Sequence, residues 1–184
     1  MLLTLVSRGY RCVSQRSSGY RRIERDLYET PEWVTRALLP HLGKVTFVWE
    51  PAAGLGKMVR VLESAGLQVL STDISVGQDF LLAERKAVDA IVTNPPYSMA
   101  QSFIEHALEL MKGGGKVAML LRTDFDHART RAHLFHGCEA FAKKLVLTKR
   151  IVWFGRPGAA PSFKHAWYIW DWQHCGKPIV EYHL

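Results

Sequence analysis

The chain has 184 residues, 48% of them hydrophobic, and a formal net charge of +7 at pH 7. That length builds one substantial core and not two, and no segment reaches the roughly 20 apolar residues that a bilayer-spanning helix requires. The cysteines Cys12, Cys138 and Cys175 are odd in number and far apart, so no disulfide framework is implied.

Residues 1–25 hold six arginines against a single acid, Glu24. They read as a disordered basic arm, either touching nucleic acid or marking a spurious upstream start. Their arginine and serine content superficially resembles an organelle transit segment. Gly9, Gly19 and the Ser17-Ser18 pair weaken any amphipathic helix there, so a cytoplasmic location is expected.

Thr30-Pro31 predicts an N-cap with proline at the first helical position, opening a helix to about His41. Val34, Leu38 and Leu39 follow helical spacing within it. Residues 45–50 predict a strand ending at Glu50, followed by Pro51-Ala52-Ala53-Gly54-Leu55-Gly56 and a helix through Met58, Val59, Leu62 and Ala65. A strand, a glycine turn and a helix form a nucleotide-binding start: glycine lets a ligand approach the backbone, and the helix N-terminus offers free N–H groups. The G-x-G-x-x-G dinucleotide fingerprint is not present here. Residues 67–72 predict a second strand ending at Asp73, where an acid can accept hydrogen bonds from ribose hydroxyls. Asp79-Phe80 offers a polar group and a ring, suited to an adenine edge and face.

Residues 89–93 are an apolar run that predicts a buried parallel strand, and Asn94-Pro95-Pro96-Tyr97 follows at its end. Ligands collect at the carboxyl ends of strands in open α/β sheets. Two prolines fix φ and remove two backbone donors, leaving outward carbonyls beside a side-chain amide. Two acceptors and a flat tyrosine ring suit a planar –NH2 group. A helix around Phe103, Ile104, Ala107, Leu108 and Met111 then ends at Gly113-Gly114-Gly115. A buried strand over 116–121, a helix near 126–136, and late strands over 144–153 and 166–172 complete the pattern, the last two as an antiparallel pair. His133, His136 and Cys138, with His174-Cys175, match no standard structural-zinc spacing, so no metal site is expected.

Taken in order, Tyr28-Glu29-Thr30-Pro31, the Glu50–Gly56 stretch, Asp73-Ile74, Asp79-Phe80 and Asn94-Pro95-Pro96-Tyr97 resemble the motif series of class I S-adenosylmethionine-dependent amino-methyltransferases. The likeness is closest to the DNA adenine methyltransferases that carry the cofactor motif ahead of the catalytic one, small phage-type members included. It spans about residues 28–172. It implies an α/β, single-domain Rossmann-like fold over 26–184, with a mostly parallel seven-stranded sheet and a late antiparallel strand. It also implies S-adenosylmethionine as cofactor, held by Thr30, Pro31, Glu50, Pro51, Ala53, Gly54, Gly56, Asp73, Ile74, Asp79 and Phe80. Asn94, Pro95, Pro96 and Tyr97 become the catalytic set. The Asn94 amide oxygen and the Pro95 carbonyl would accept the two N–H bonds of a flipped-out base, while Tyr97 stacks on it. Phe163, or Trp153 as runner-up, would stack the opposite face from the loop over 154–163. Such enzymes usually carry a target-recognition region; none is expected here, which leaves room for a protein partner that supplies sequence recognition.

The motif does not separate DNA adenine from an RNA base or a protein glutamine, and a non-catalytic nucleic-acid-binding subunit remains the alternative of another class. Charge favours a polyanion. Residues 26–109 carry six basic and eleven acidic groups, residues 110–184 twelve basic and five acidic. Arg122, Arg129, Arg131, Lys143, Lys144, Lys149, Arg150, Arg156 and Lys164 are the candidate phosphate contacts, with Lys143, Lys144 and Lys149 foremost.

Overall fold

The structure, a computed structural model, describes residues 28–153 and 163–184. The expected arm over 1–25 lies outside the described residues, as does the rim loop except for Phe163. Helices α1 (Glu32–Leu42), α2 (Lys57–Ser64) and α3 (Ala100–Met111) flank strands β1 (Phe47–Glu50), β2 (Gln68–Ser71), β3 (Ala90–Thr93), β4 (Lys116–Arg122), β5 (Phe141–Leu147), β6 (His165–Asp171) and β7 (Ile179–His183). The strands form one sheet in the order β2-β1-β3-β4-β6-β5-β7. β1 runs parallel to β2 and β3, β3 to β4, and β5 to β7. Only β6 reverses, pairing antiparallel with both β4 and β5. The mostly parallel sheet with one late antiparallel strand is therefore as expected.

Period-two alternation divides the core. Along β4, Val117, Met119 and Leu121 join Trp49, Ile91, Tyr168 and Trp170 under α3, while Ala118 and Leu120 join Val48, Val92, Trp167 and Ile169 under α1 and α2. A sheet covered on both faces needs strands apolar on both sides, and every residue of β3 is buried. Buried indole N–H groups need acceptors: Trp167 donates to the Val34 carbonyl and Trp170 to the Leu134 carbonyl, each at 2.8 Å. These bonds tie the sheet to elements on its two faces.

Four local expectations differ. Thr30 does not cap α1; the helix starts at Glu32, with extended Pro31 before it and no side-chain cap bond, and Thr30 is buried. The helix expected over 126–136 is instead two 3-10 stretches, Phe125–His127 and Arg129–Leu134. Extended Ala128 breaks it, and the Arg131 side chain donates to the Phe125 carbonyl that a continuous helix would use. The strand expected over 144–153 begins earlier and stops at Leu147. β7 went unpredicted because its half-exposed residues give no clear apolar alternation.

Because β1 to β4 run in parallel and β6 reverses, the ends of β1 to β4 and the start of β6 meet at one rim. That rim carries Glu50, Asp73, Asn94, Arg122 and His165.

Candidate functional site

A cavity of about 380 Å³ opens at this rim. Its floor is the turn after β1. Gly54 and Gly56 have φ of 53° and 77°, the left-handed region where glycine alone is unstrained. Asp73, at the tip of β2, staples that turn: its carboxylate accepts from the Gly54 N–H and the Ser75 N–H, both at 2.8 Å. Thr30, Glu50, Pro51, Ala53, Gly54, Asp73, Ile74, Asp79 and Phe80 all line the cavity. Pro31 and Gly56 lie outside the lining: Pro31 accepts the first turn's Val34 N–H, and Gly56 caps α2. Asp79 accepts from the Leu81 N–H at 2.9 Å, which turns the chain so that Phe80 enters the core. There the Phe80 ring packs on Trp49 and Phe103 at 5.2 and 4.9 Å and is 2% exposed.

The wall is acidic, and two of its acids are desolvated. Glu50 is buried, and burial pushes its carboxyl up to about 8, with the nearby Asp73 charge adding to the rise. The Ala52 N–H, donating at 3.0 Å, opposes that shift. Glu29 Oε1 is also buried, with no hydrogen-bond partner among the described residues. Glu29 sits inside the Tyr28–Pro31 motif, yet its sequence position does not announce a wall residue. Lys57, at the start of α2, is the cation of this wall.

Asn94 and Pro96 line the cavity beside this wall; Pro95 is buried behind them and Tyr97 lies just beyond. The Asn94 Nδ2 donates to the Tyr28 carbonyl at 3.1 Å, a bond spanning 66 residues of sequence that fixes which way the amide faces. Its oxygen, Oδ1, is buried and has no partner among the described residues. Tyr97 begins a short 3-10 turn that leads into α3. Its ring stacks on His165, centroids 5.9 Å apart and planes 30° apart. Trp153 meets His165 edge-on at 5.3 Å, and Tyr28 packs on Trp153 at 5.5 Å. Burial lowers the His165 pKa to about 4, so the imidazole is neutral. Nothing in the spacing of a lone histidine ahead of an apolar strand marks it for this place.

Phe163 lies at the rim, with the Arg122 guanidinium 4.0 Å from its ring centroid. Arg122 is held in turn by Asp124, through bonds of 3.0 and 2.6 Å. Lys143 and Lys144 depart from the expectation of phosphate-facing lysines. Lys143 pairs with Glu181 at 2.8 Å, and Lys144 with Asp126 at 2.7 Å and with the Thr123 carbonyl. Half-buried ammonium groups require such partners, so both serve the fold. Lys149 lies exposed over the Trp33 ring, and Arg129, Arg150 and Lys164 are exposed too. Arg156 is outside the described residues. No helix among the described residues is long and apolar enough to cross a membrane.

No family model and no curated protein matches the sequence. Solved structures match the fold. A Listeria monocytogenes protein provisionally assigned as a class I S-adenosylmethionine-dependent methyltransferase superposes with TM-score 0.56 at 15% identity, over 82% of this chain and 62% of its own. The type IIG restriction endonuclease BpuSI gives 0.58 at 13%, over 81% of this chain and 25% of its own. A Pyrococcus horikoshii protein provisionally assigned as an RNA methyltransferase gives 0.54 at 16%, over 83% and 87%. This chain thus spans under two thirds of the Listeria protein and a quarter of BpuSI. The architecture is the Rossmann-like methyltransferase fold.

Proposed function

We propose that this protein binds S-adenosylmethionine and methylates the exocyclic amino group of adenine in DNA. The observation that carries the reading is the Asn94 amide. Leaving a buried acceptor unpaired costs about 1–3 kcal/mol, so such a group beside a cavity suits a donor on a bound ligand. The Tyr28 carbonyl takes the amide nitrogen and so presents the oxygen. An acceptor at the mouth of a ligand cavity suits a donor such as an amino group.

The cavity also fits the cofactor. Its wall combines the buried Glu29 oxygen, a Glu50 whose carboxyl is pushed up to about 8 by burial, and one cation, Lys57. S-adenosylmethionine carries a sulfonium, an ammonium and a carboxylate, and when bound it supplies an activated methyl group. Glu29 and Glu50 suit its positive groups, Lys57 its carboxylate, and the Asp73 tip its ribose. For the substrate, Asn94 Oδ1 accepts one N–H, the Pro95 carbonyl is assigned the other, and Tyr97 and Phe163 supply flat faces. Orientation of the amino nitrogen toward the methyl group is then the chain's main catalytic contribution.

DNA is supported by the basic half of the chain, by the motif order, and by a restriction endonuclease among the fold neighbours. RNA is the second reading, since one neighbour is provisionally assigned to it. Incubation with labelled methyl donor and separate pools of duplex DNA, single-stranded DNA, RNA and protein tests both. Label on the 6-amino group of DNA adenine is the expected result; label only in RNA or protein would replace the substrate, and none in any pool would end the reading.

A further inference from the structure

We propose that His165 is a positioning residue of this site: its ring, wedged between Tyr97 and Trp153, fixes the plane of the tyrosine on which the substrate stacks. The inference rests on the methyl-transfer reading above. His165 opens β6 directly opposite Arg122, and the Thr123 N–H donates to the Lys164 carbonyl at 3.0 Å, so its backbone is set by the sheet ladder. His165 is 2% exposed, and the polar neighbour that bears on its ring is the Phe163 backbone. One face meets Tyr97 in an offset stack, and Trp153 meets the ring edge-on, both within the range of favourable aromatic pairs.

The contact path continues. Trp153 packs on Tyr28, and the Tyr28 carbonyl holds the Asn94 amide. The amide that takes the substrate's N–H and the ring that takes its face therefore belong to one run of contacts, with His165 in the middle. Tyr97 and Asn94 are neighbours in sequence, but two prolines between them set only the backbone, not the tyrosine's ring plane. His165 sets that plane from a strand almost 70 residues away.

The test uses His165→Ala, His165→Phe, Tyr97→Ala and the His165→Ala/Tyr97→Ala double variant of the full chain. His165→Ala should lower kcat by about tenfold to a hundredfold, as small misplacements at a reacting centre do, with cofactor affinity unchanged by calorimetry. His165→Phe, which keeps a flat ring, should recover most of that rate. The double variant should be no slower than Tyr97→Ala alone, since a ring that is gone needs no positioning. Wild-type turnover in His165→Ala, equal losses in the Ala and Phe variants, or additive losses would each overturn the proposal. If His165→Ala fails to fold, Trp153→Leu frees the same ring from its other side and carries the same expectations. A second readout is independent of turnover. In protein with 13C-labelled tyrosine rings, Tyr97 should flip faster and shift in His165→Ala but not in His165→Phe. An unchanged Tyr97 signal rejects the brace even where the enzyme is active. A wild-type protein that methylates nothing rejects the transfer reading instead, and leaves the ring measurement to decide the brace.

Discussion

At Asn94, the amide nitrogen is taken by the Tyr28 carbonyl, while the oxygen is buried with no partner among the described residues. Asn94→Ala removes the presented oxygen while leaving the strand and cavity wall intact. Loss of one preorganised polar contact at a reacting centre costs on the order of 10²–10³ in rate, so methyl transfer should fall by that factor with cofactor affinity kept. Asn94→Asp retains an acceptor and should lose less; single-turnover rates measure both. Glu50 carries the opposite kind of strain. Its folded pKa of about 8 lies above the ordinary 4.5, so its contribution to stability is full below pH 4.5 and is lost as pH rises through 8. A cationic ligand beside it favours the carboxylate and expels the proton. Binding of S-adenosylmethionine at pH 7 should therefore release protons, seen as a buffer-dependent heat in calorimetry, and Glu50→Gln should abolish that release. His165 has the reverse sign, its folded pKa of about 4 lying below the ordinary 6.5. The fold keeps its full stability above pH 6.5 and loses on the order of 3 kcal/mol as pH falls from 6.5 toward 4. Arg122 and Asp124 are the charged groups facing it, pushing in opposite directions. His165→Phe should flatten the acid side of a Tm-against-pH curve. The place of Asn94 at a strand end was legible because its neighbours are two prolines and a tyrosine. The places of Glu29 and His165 were not, since they follow from burial and from contacts with distant chain.

Among the elements, the parallel strands were legible and the late, polar segments were not. Residues 89–93 and 116–121 read as buried strands because burial on both faces forces a continuous apolar run. β7 has Ile179, Val180 and Tyr182 exposed and carries Glu181 between them, so its apolar residues follow no face. It is held partly by Lys143 through Glu181 and by the Thr148 hydroxyl, which donates to the His183 carbonyl at 2.7 Å. The stretch over 126–136 has helix-forming residues, yet Lys144 and Tyr168 both hold the Asp126 carboxylate, and those tertiary bonds outweigh local propensity. A prediction follows for the lysines. Lys144→Met strands the half-buried Asp126 carboxylate and should lower stability by about 1–3 kcal/mol in urea unfolding, a part of the cost of breaking a fully buried pair. It should leave the salt dependence of nucleic-acid binding unchanged. Lys149→Ala should do the reverse, lowering the salt slope by about one unit with no change in Tm. Equal effects of both variants on the slope would return Lys144 to the binding surface.

Over the whole molecule, charge and topology act together. The acidic half supplies the cavity wall, so on the proposed reading a cationic cofactor and a polyanionic substrate would be drawn to different parts of the molecule. Binding of duplex DNA should weaken steeply between 50 and 200 mM salt, by roughly tenfold or more for each few phosphate contacts, while cofactor affinity barely moves. Parallel measurement by fluorescence anisotropy and calorimetry checks this, and a shared salt dependence would contradict it. The fold class was legible as a whole because strand, turn and helix recur in order; which basic side chains stay exposed was not, since it depends on which charges pair within the fold. The reversal of β6 has one more consequence. β5 ends, and β6 begins, at the cavity rim, so the chain that links them leaves from that rim and returns to it. Sequence can be added between those two anchor points without threading the sheet or altering a ladder pair. That connection is thus a graft point, where a foreign module can be added while the cavity formed by the other strands keeps its shape.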